Sequence, residues 1–187
     1  MSAPPAPRLR RPARAHGAGF AGLTHLDPAG KARMVDVTPK AETAREARAR
    51  VTLRMRPATL AAIRKGGVAK GDVLGVARLA GIMAAKRTAE LIPLCHPLRL
   101  TGIDVQFDLD RARSAVHVAT TVRTVDKTGV EMEALTAAAG AGLAIYDMVK
   151  AIDRGLVLTD LCLVEKSGGR GGHWVRERAR RARKRSP

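Results

Sequence analysis

From Leu100 to Asp110 the chain alternates: Ile103, Val105, Phe107 and Leu109 are apolar, and Asp104, Gln106 and Asp108 stand between them. A period of two sends the apolar set to one face of a strand and the polar set to the other. "RARS" supplies a turn, and residues 115–125 return as a second strand, so the pair reads as a hairpin. Residues 46–55 alternate in the same way, with Arg and Thr on the wet face. Residues 156–164 give a last strand, and the pattern allows a short one at residues 34–37.

Two other stretches change to helical spacing. Residues 57–67 form a short helix, with Pro57 in its first turn and glycines after its end. A longer helix follows. Asp72 is its expected N-cap, Val73, Val76, Ala77, Ala80, Ala84 and Leu91 define its apolar stripe, and Pro93 stops it. Residues 129–155 form a second long helix, with acids at its start and Lys150 near its end, an order that complements the helix dipole. Gly140 and Gly142 inside it cost about 1 kcal/mol each against Ala. That cost points to close packing there, with a helix of another subunit as one source.

The order is strand, helices, strand, strand, helix, strand. This is the split βαβ pattern of a ferredoxin-like α+β fold, an antiparallel sheet with helices packed on one face. The expected organisation is a disordered basic arm at residues 1–20, one domain at 21–174, and a disordered Arg-rich tail at 175–187.

Composition sharpens this. The 187 residues suffice for a sizeable core, but aromatics are only 2%, so that core must be aliphatic. No apolar run approaches the ~18–20 residues of a membrane span. The net charge of +17 is uneven: the two tails carry +10, and +7 remains on residues 21–174. Basic tails can bind nucleic acid non-specifically through phosphates. With one Trp and one Tyr there is little equipment for base stacking, so a nucleic-acid-binding protein is only the rival reading. The +7 of the middle suits a polyanionic small molecule. Two cysteines in a domain of this size read as reduced thiols, and the protein is expected in the cytoplasm.

Candidate chemistry sits in loops. "ELIPLCHPL" sets Cys95 and His96 between Pro93 and Pro97. No C-x-x-C or spaced His pair accompanies them, so no metal site is expected. The residues are either a buried thiol and a surface histidine, or a stiff loop offering His96 and backbone amides to an anion. Asp147 and Lys150, at i and i+3, share a helix face. They form either a surface ion pair or a pair whose pKa values partial burial perturbs. Glu131 and Glu133 point about 200° apart once a helix has begun. They can line one pocket only if residues 130–132 are still loop. Lys70 precedes a helix N-terminus, and "KSGGRGG" (166–172) can wrap phosphates with its amides.

Four blocks, "THLDPAGKARMVDV", "KGDVLGVARLAGIMAAKRTAELIPLCHPL", "KTGVEMEALTAAAGAGLAIYDMVKAI" and "KSGGRGGHW", resemble the cyclic pyranopterin monophosphate synthase family of molybdenum cofactor biosynthesis. The resemblance runs from about residue 23 to 174. It implies a phosphorus-oxygen lyase that converts the 3',8-cyclo form of 7,8-dihydroguanosine 5'-triphosphate to cyclic pyranopterin monophosphate, releasing pyrophosphate. It also implies a ferredoxin-like fold, a homohexamer built as a trimer of dimers, and an active site at a subunit interface. No tightly bound cofactor is expected, with Mg²⁺ left open as a companion of the triphosphate.

By the same resemblance Asp147, Lys150, Lys70 and His96 are catalytic. Leu94, Cys95, His96, Glu131, Met132, Glu133 and Lys166 contact substrate. Lys150 would serve as general acid, or as base if burial lowers its pKa. Val149, Ala144 and Gly171 depart from the family's more usual Cys, Thr and Ser. His25, Asp27, Asp104 and His117 receive no role.

Overall fold

The computed structural model describes residues 30–177. The chain divides into two units, Met1–Arg33 and Met34–Pro187. Of the first, only residues 30–33 are described, an exposed stretch with Gly30 at φ +78°. The expected basic arm, the end of the expected tail, His25 and Asp27 lie outside the described residues.

The second unit contains β1 (Thr43–Arg54), α1 (Pro57–Lys65), α2 (Val73–Lys86), α3 (Thr88–Leu91), β2 (Leu100–Asp110), β3 (Ala115–Asp126), α4 (Glu131–Val149), β4 (Val157–Ser167) and β5 (Trp174–Val175). The sheet is antiparallel, in the order β2-β3-β1-β4-β5. The helices pack on one face. This is the α+β architecture that the alternation predicts.

The period of two survives in detail. Ala47, Ala49, Val51 and Leu53 of β1 and Val116, Val118 and Val122 of β3 are buried against the helices. Thr120 joins them by donating its hydroxyl to Ala134 O at 2.8 Å, which satisfies a polar atom that burial would otherwise penalise. Small residues keep the layers close. Ala134, Ala137, Ala138, Ala141 and Ile145 of α4 are fully buried.

Local rules set the element ends. Pro57 opens α1, and Gly66 closes it at φ +68°, donating to Ala62 O and Ile63 O. Asp72 caps α2 by accepting the Gly75 amide at 2.9 Å, as expected. Asp153, only 4% exposed, accepts from the Arg56 amide and the Thr59 hydroxyl, each at 2.9 Å, and so pins the start of α1 to the end of α4.

Several expectations need correction. Residues 34–37 form no strand; they are loop. The long helix before Pro93 is two helices, broken at Arg87. Its buried stripe is Val73, Ala77, Gly81 and Ala85, while Val76 and Leu91 are exposed. A run rich in Ala and Val supports several nearly equivalent stripes, and packing against α4 selects one. α4 itself is shorter than expected at both ends.

The glycines of α4 also have neighbours within the chain. A Cβ on Gly140 would lie 2.6 Å from Ala84 Cβ of α2. One on Gly142 would meet Leu158 Cδ2 of β4 at 2.9 Å. Contacts within the fold account for both.

Candidate active site

The expected site residues fall into two groups at opposite ends of α4. Glu131 and Asp147 are sixteen positions apart, which at about 1.5 Å per residue is roughly 24 Å.

The first group is Lys70, Asp147 and Lys150. Lys70 reaches over from the α1–α2 loop, where Gly71 at φ +94° lets the chain turn. Its Nζ donates to Asp147 Oδ2 and to Asp147 O, both at 2.8 Å. Lys150, the residue that caps α4, places its Nζ 2.6 Å from Asp147 Oδ1. One carboxylate thus bridges two ammonium groups. All three side chains are exposed, between 43% and 55%.

The pKa shifts here come from pairing, not burial. The Lys150 ammonium, and then that of Lys70, hold the Asp147 carboxyl down to about 2. Asp147 in turn raises Lys150 above its ordinary value. Burial therefore does not bring the Lys150 pKa down here; pairing with Asp147 raises it and favours the ammonium. The group presents an acid, Lys150 Nζ–H⁺, oriented by a permanently charged carboxylate.

The second group lies at the start of α4. Cys95 N donates to Ile92 O at 3.0 Å and closes the turn that carries the Pro-bounded loop. His96 Nε2 lies 2.8 Å from Val35 O. A carbonyl can only accept, so Nε2 carries the proton, and Nδ1 is the ring atom left for a ligand. His96, Pro97, Lys86, Arg87, Thr88 and Glu133 line a cavity of about 150 Å³. Leu94 and Met132 are half-buried beside it in sequence.

Glu131 and Glu133 part company, because the helix has already begun at Glu131. Glu131 accepts from Lys166 Nζ of β4 at 2.7 Å. Glu133 is 4% exposed, and burial raises its pKa to about 7, with the Glu131 charge adding to the effect. Burial also pushes the Cys95 thiol up, with help from the Glu133 charge. A raised thiol pKa means less thiolate, the opposite of what a cysteine nucleophile needs. Among the described residues no three His, Cys, Asp or Glu side chains gather as a metal site.

Of the residues left without a role, the two that the structure describes, Asp104 and His117, have structural partners. Asp104 accepts from Arg123 at 2.8 Å on the open sheet face. His117 Nδ1 lies 3.1 Å from Thr52 Oγ1. The sequence reading missed a convergence of Lys40, Arg45, Lys127 and Arg170 around a cavity of about 630 Å³. Pairing of β1 with β3 sets Lys40 and Arg45 beside Lys127, and pairing of β1 with β4 brings in Arg170. The advance signals were the +7 on the middle of the chain and the glycine-rich stretch 166–172, of which residues 169–171 line this cavity.

The described residues contain no helix long and apolar enough to cross a membrane. Residues 34–169 match the MoaC family, and the chain belongs to that family. It is 59% identical over 155 residues to the cyclic pyranopterin monophosphate synthase of Heliobacterium modesticaldum, covering 83% of this chain and 98% of that protein. It is 58% identical over 166 residues to the protein of the same name in Thermomicrobium roseum, covering 88% of this chain and all of that one.

Proposed function

We propose, with membership of the MoaC family as premise, that this protein is a cyclic pyranopterin monophosphate synthase. It acts as a phosphorus-oxygen lyase in molybdenum cofactor biosynthesis. Its substrate is the 3',8-cyclo form of 7,8-dihydroguanosine 5'-triphosphate, and its products are the cyclic pyranopterin monophosphate and pyrophosphate. The observation that carries the reading is the Lys70–Asp147–Lys150 cluster, an oriented proton donor on the protein surface.

In this mechanism Lys150 is the general acid for opening and reclosing the purine-derived ring. Asp147, too acidic to act as a base near neutral pH, keeps Lys150 charged and aimed. Lys70 and Lys166, with His96 when its Nδ1 is protonated as well as Nε2, supply positive charge around the α-phosphorus as a sugar hydroxyl attacks it. Glu131 is committed to Lys166, so Glu133 reads the guanine-derived edge, with Met132, Leu94 and Cys95 forming the wall. No resident cofactor takes part, and Mg²⁺ enters only as a counter-ion of the triphosphate.

The separation of roughly 24 Å between the two groups exceeds the reach of one nucleotide-sized substrate held by both ends of α4. The complete site therefore combines the Asp147 end of one copy with the Glu133 end of another, within a homohexamer that is a trimer of dimers. Leu79, Met83 and Leu143, exposed on α2 and α4, offer apolar surface for such contacts. The reduced thiols Cys95 and Cys162 fit a cytoplasmic location.

The test is turnover of the purified protein on the cyclic triphosphate intermediate, followed as pyrophosphate and as fluorescent oxidised pterin. Stoichiometric release of both is expected, and a well-folded oligomer that makes neither would sink the reading. Mixing inactive Lys150→Ala and His96→Ala chains tests the shared site. Random exchange in a symmetric dimer restores roughly a quarter of the sites. No recovery after verified exchange would place both groups in one copy's site.

A further inference from the structure

α1 begins without the groups that a helix start ordinarily has. Its N-cap is Arg56, which makes no side-chain cap bond, and its first turn holds no acid. The free amides and the positive dipole end there call for an acceptor and a negative charge. Asp153 supplies both, from the segment that follows α4. Its Oδ2 accepts from the Arg56 amide and from the Thr59 hydroxyl, each at 2.9 Å, and its Oδ1 lies 3.4 Å from Arg56 Nε. Asp153 is 4% exposed and Thr59 2%. The bond from the Arg56 amide is the chief cause that holds the Asp153 carboxyl below its ordinary value, so the buried group is an anion.

This clamp stands between the two segments that carry the lysines of the first group. On one side, Asp153 N donates to Val149 O at 2.9 Å, in the turn that follows Lys150. On the other, α1 runs into the loop that carries Lys70. A helix of nine residues is marginal in water by itself, and the buried side chains that hold α1 are Thr59, Leu60 and Ile63. Thr59 is also the partner of Asp153. Both ammonium groups must stay within reach of one carboxylate, at 2.8 Å for Lys70 and 2.6 Å for Lys150. A shift of ~1 Å of α1 against α4 is enough to break a hydrogen bond of that length.

We propose that Asp153 is a positioning residue of this site: it caps α1 from the end of α4 and so holds Lys70 against Asp147, opposite Lys150. It touches no substrate and moves no proton. The kinetic part of the assignment rests on the activity proposed above, and the geometric part does not. A buried carboxylate suits this task better than an apolar contact. Its bonds are directional, and leaving it unpaired is costly, so the Arg56 amide and the Thr59 hydroxyl have one favoured position each. The start of α1 is thereby tied to the end of α4.

The experiment pairs reductive methylation of Lys70, followed by mass spectrometry, with initial-rate kinetics on the cyclic triphosphate. The proteins are wild type, Asp153→Ala, Asp153→Asn, Thr59→Val, and Thr52→Val as a control that loses a hydroxyl on the open sheet face. In Asp153→Ala, Lys70 is expected to react about two- to fivefold faster, the worth of its exposed ion pair. The same variant should lower kcat about tenfold or more, with a smaller change in KM. Asp153→Asn, which keeps an oxygen acceptor, should recover part of both losses, and Thr52→Val should change neither. In a Lys70→Ala background Asp153→Ala should cost much less, since two residues that act through one contact are not additive. Where Asp153→Ala does not fold, Asp153→Asn and Thr59→Val carry the test at smaller amplitude, because each removes part of the clamp. Folded clamp variants with wild-type Lys70 labelling and kcat overturn the proposal while leaving the activity intact. Faster Lys70 labelling in the clamp variants, with no turnover even by wild type, overturns the activity and leaves the clamp standing.

Discussion

The two ends of α4 carry one carboxylate each that matters, and the fold treats them in opposite ways. Asp147 is exposed, bridges two lysines, and has its pKa held at about 2. Glu133 is buried beside a small cavity, and desolvation lifts it to about 7. The same functional group is thus a fixed anion at one end and a titrating acid at the other. Local charge decides the first case and loss of water the second. An enzyme that moves protons and also reads a heterocycle has use for both.

The sharpest break of this contrast is at Asp147. Asp147→Asn and Lys150→Ala should each lower kcat by about 10²- to 10⁴-fold, the usual worth of a positioned acid. Thermal stability should hardly change, because the cluster is exposed. Near-normal turnover in both variants, measured by pyrophosphate release, would remove the acid from this end of the helix.

Glu133 gives the next largest effect, through pH. Its folded pKa lies above the ordinary value of 4.5, so the fold favours the protonated form. That stability is fully present below about 4.5 and is lost as pH rises through about 7. Glu133→Gln, which cannot ionise, should match wild type in acid and exceed it by about 2–3 kcal/mol at pH 8. Denaturant titrations across this range measure it. Equal stabilities at pH 8 would mean that Glu133 is solvated or paired after all. Asp147 titrates too low to contribute within this window.

The stretch between the two ends must act as a rigid spacer. Gly140→Ala forces its Cβ against Ala84 Cβ, which cannot rotate away, and should cost about 1–3 kcal/mol less the ~1 kcal/mol gained in helix propensity. At Gly142 the nearest atom is the tip of Leu158, which can turn aside, so Gly142→Ala should be close to neutral. Melting temperatures that fail to separate the two variants would refute the close approach of α2 and α4.

Cys95→Ala should do least: kcat within about threefold of wild type, a barrier change below ~0.7 kcal/mol. His96→Ala should abolish most turnover. Equal losses from the two variants would make the thiol a participant and reverse the assignment of the Pro-bounded loop.

Much of this was legible in the sequence for a physical reason. Alternation on β1, β2 and β3 records which face meets the helices, because each residue's face follows from its position along the strand. Pro57, Gly66 and Asp72 set their element ends through backbone geometry that neighbours alone determine. The lysines and acids of the candidate site could be named because their blocks resemble a family.

Other features were settled only by tertiary structure. The face of α2 could not be read from a run of Ala, Val and Gly, since only the fit of Gly81 and Ala84 against α4 distinguishes the stripes. Glu131 and Glu133, two residues apart, became an ion pair and a buried acid once β4 brought Lys166 to one and the Pro-bounded loop covered the other. Lys40, Arg45, Lys127 and Arg170 meet only because β1 pairs with β3 on one side and with β4 on the other. Periodicity and capping are local and survive in one dimension. Burial, charge pairing and the depth of a cleft depend on residues distant in the chain, and folding alone brings those together.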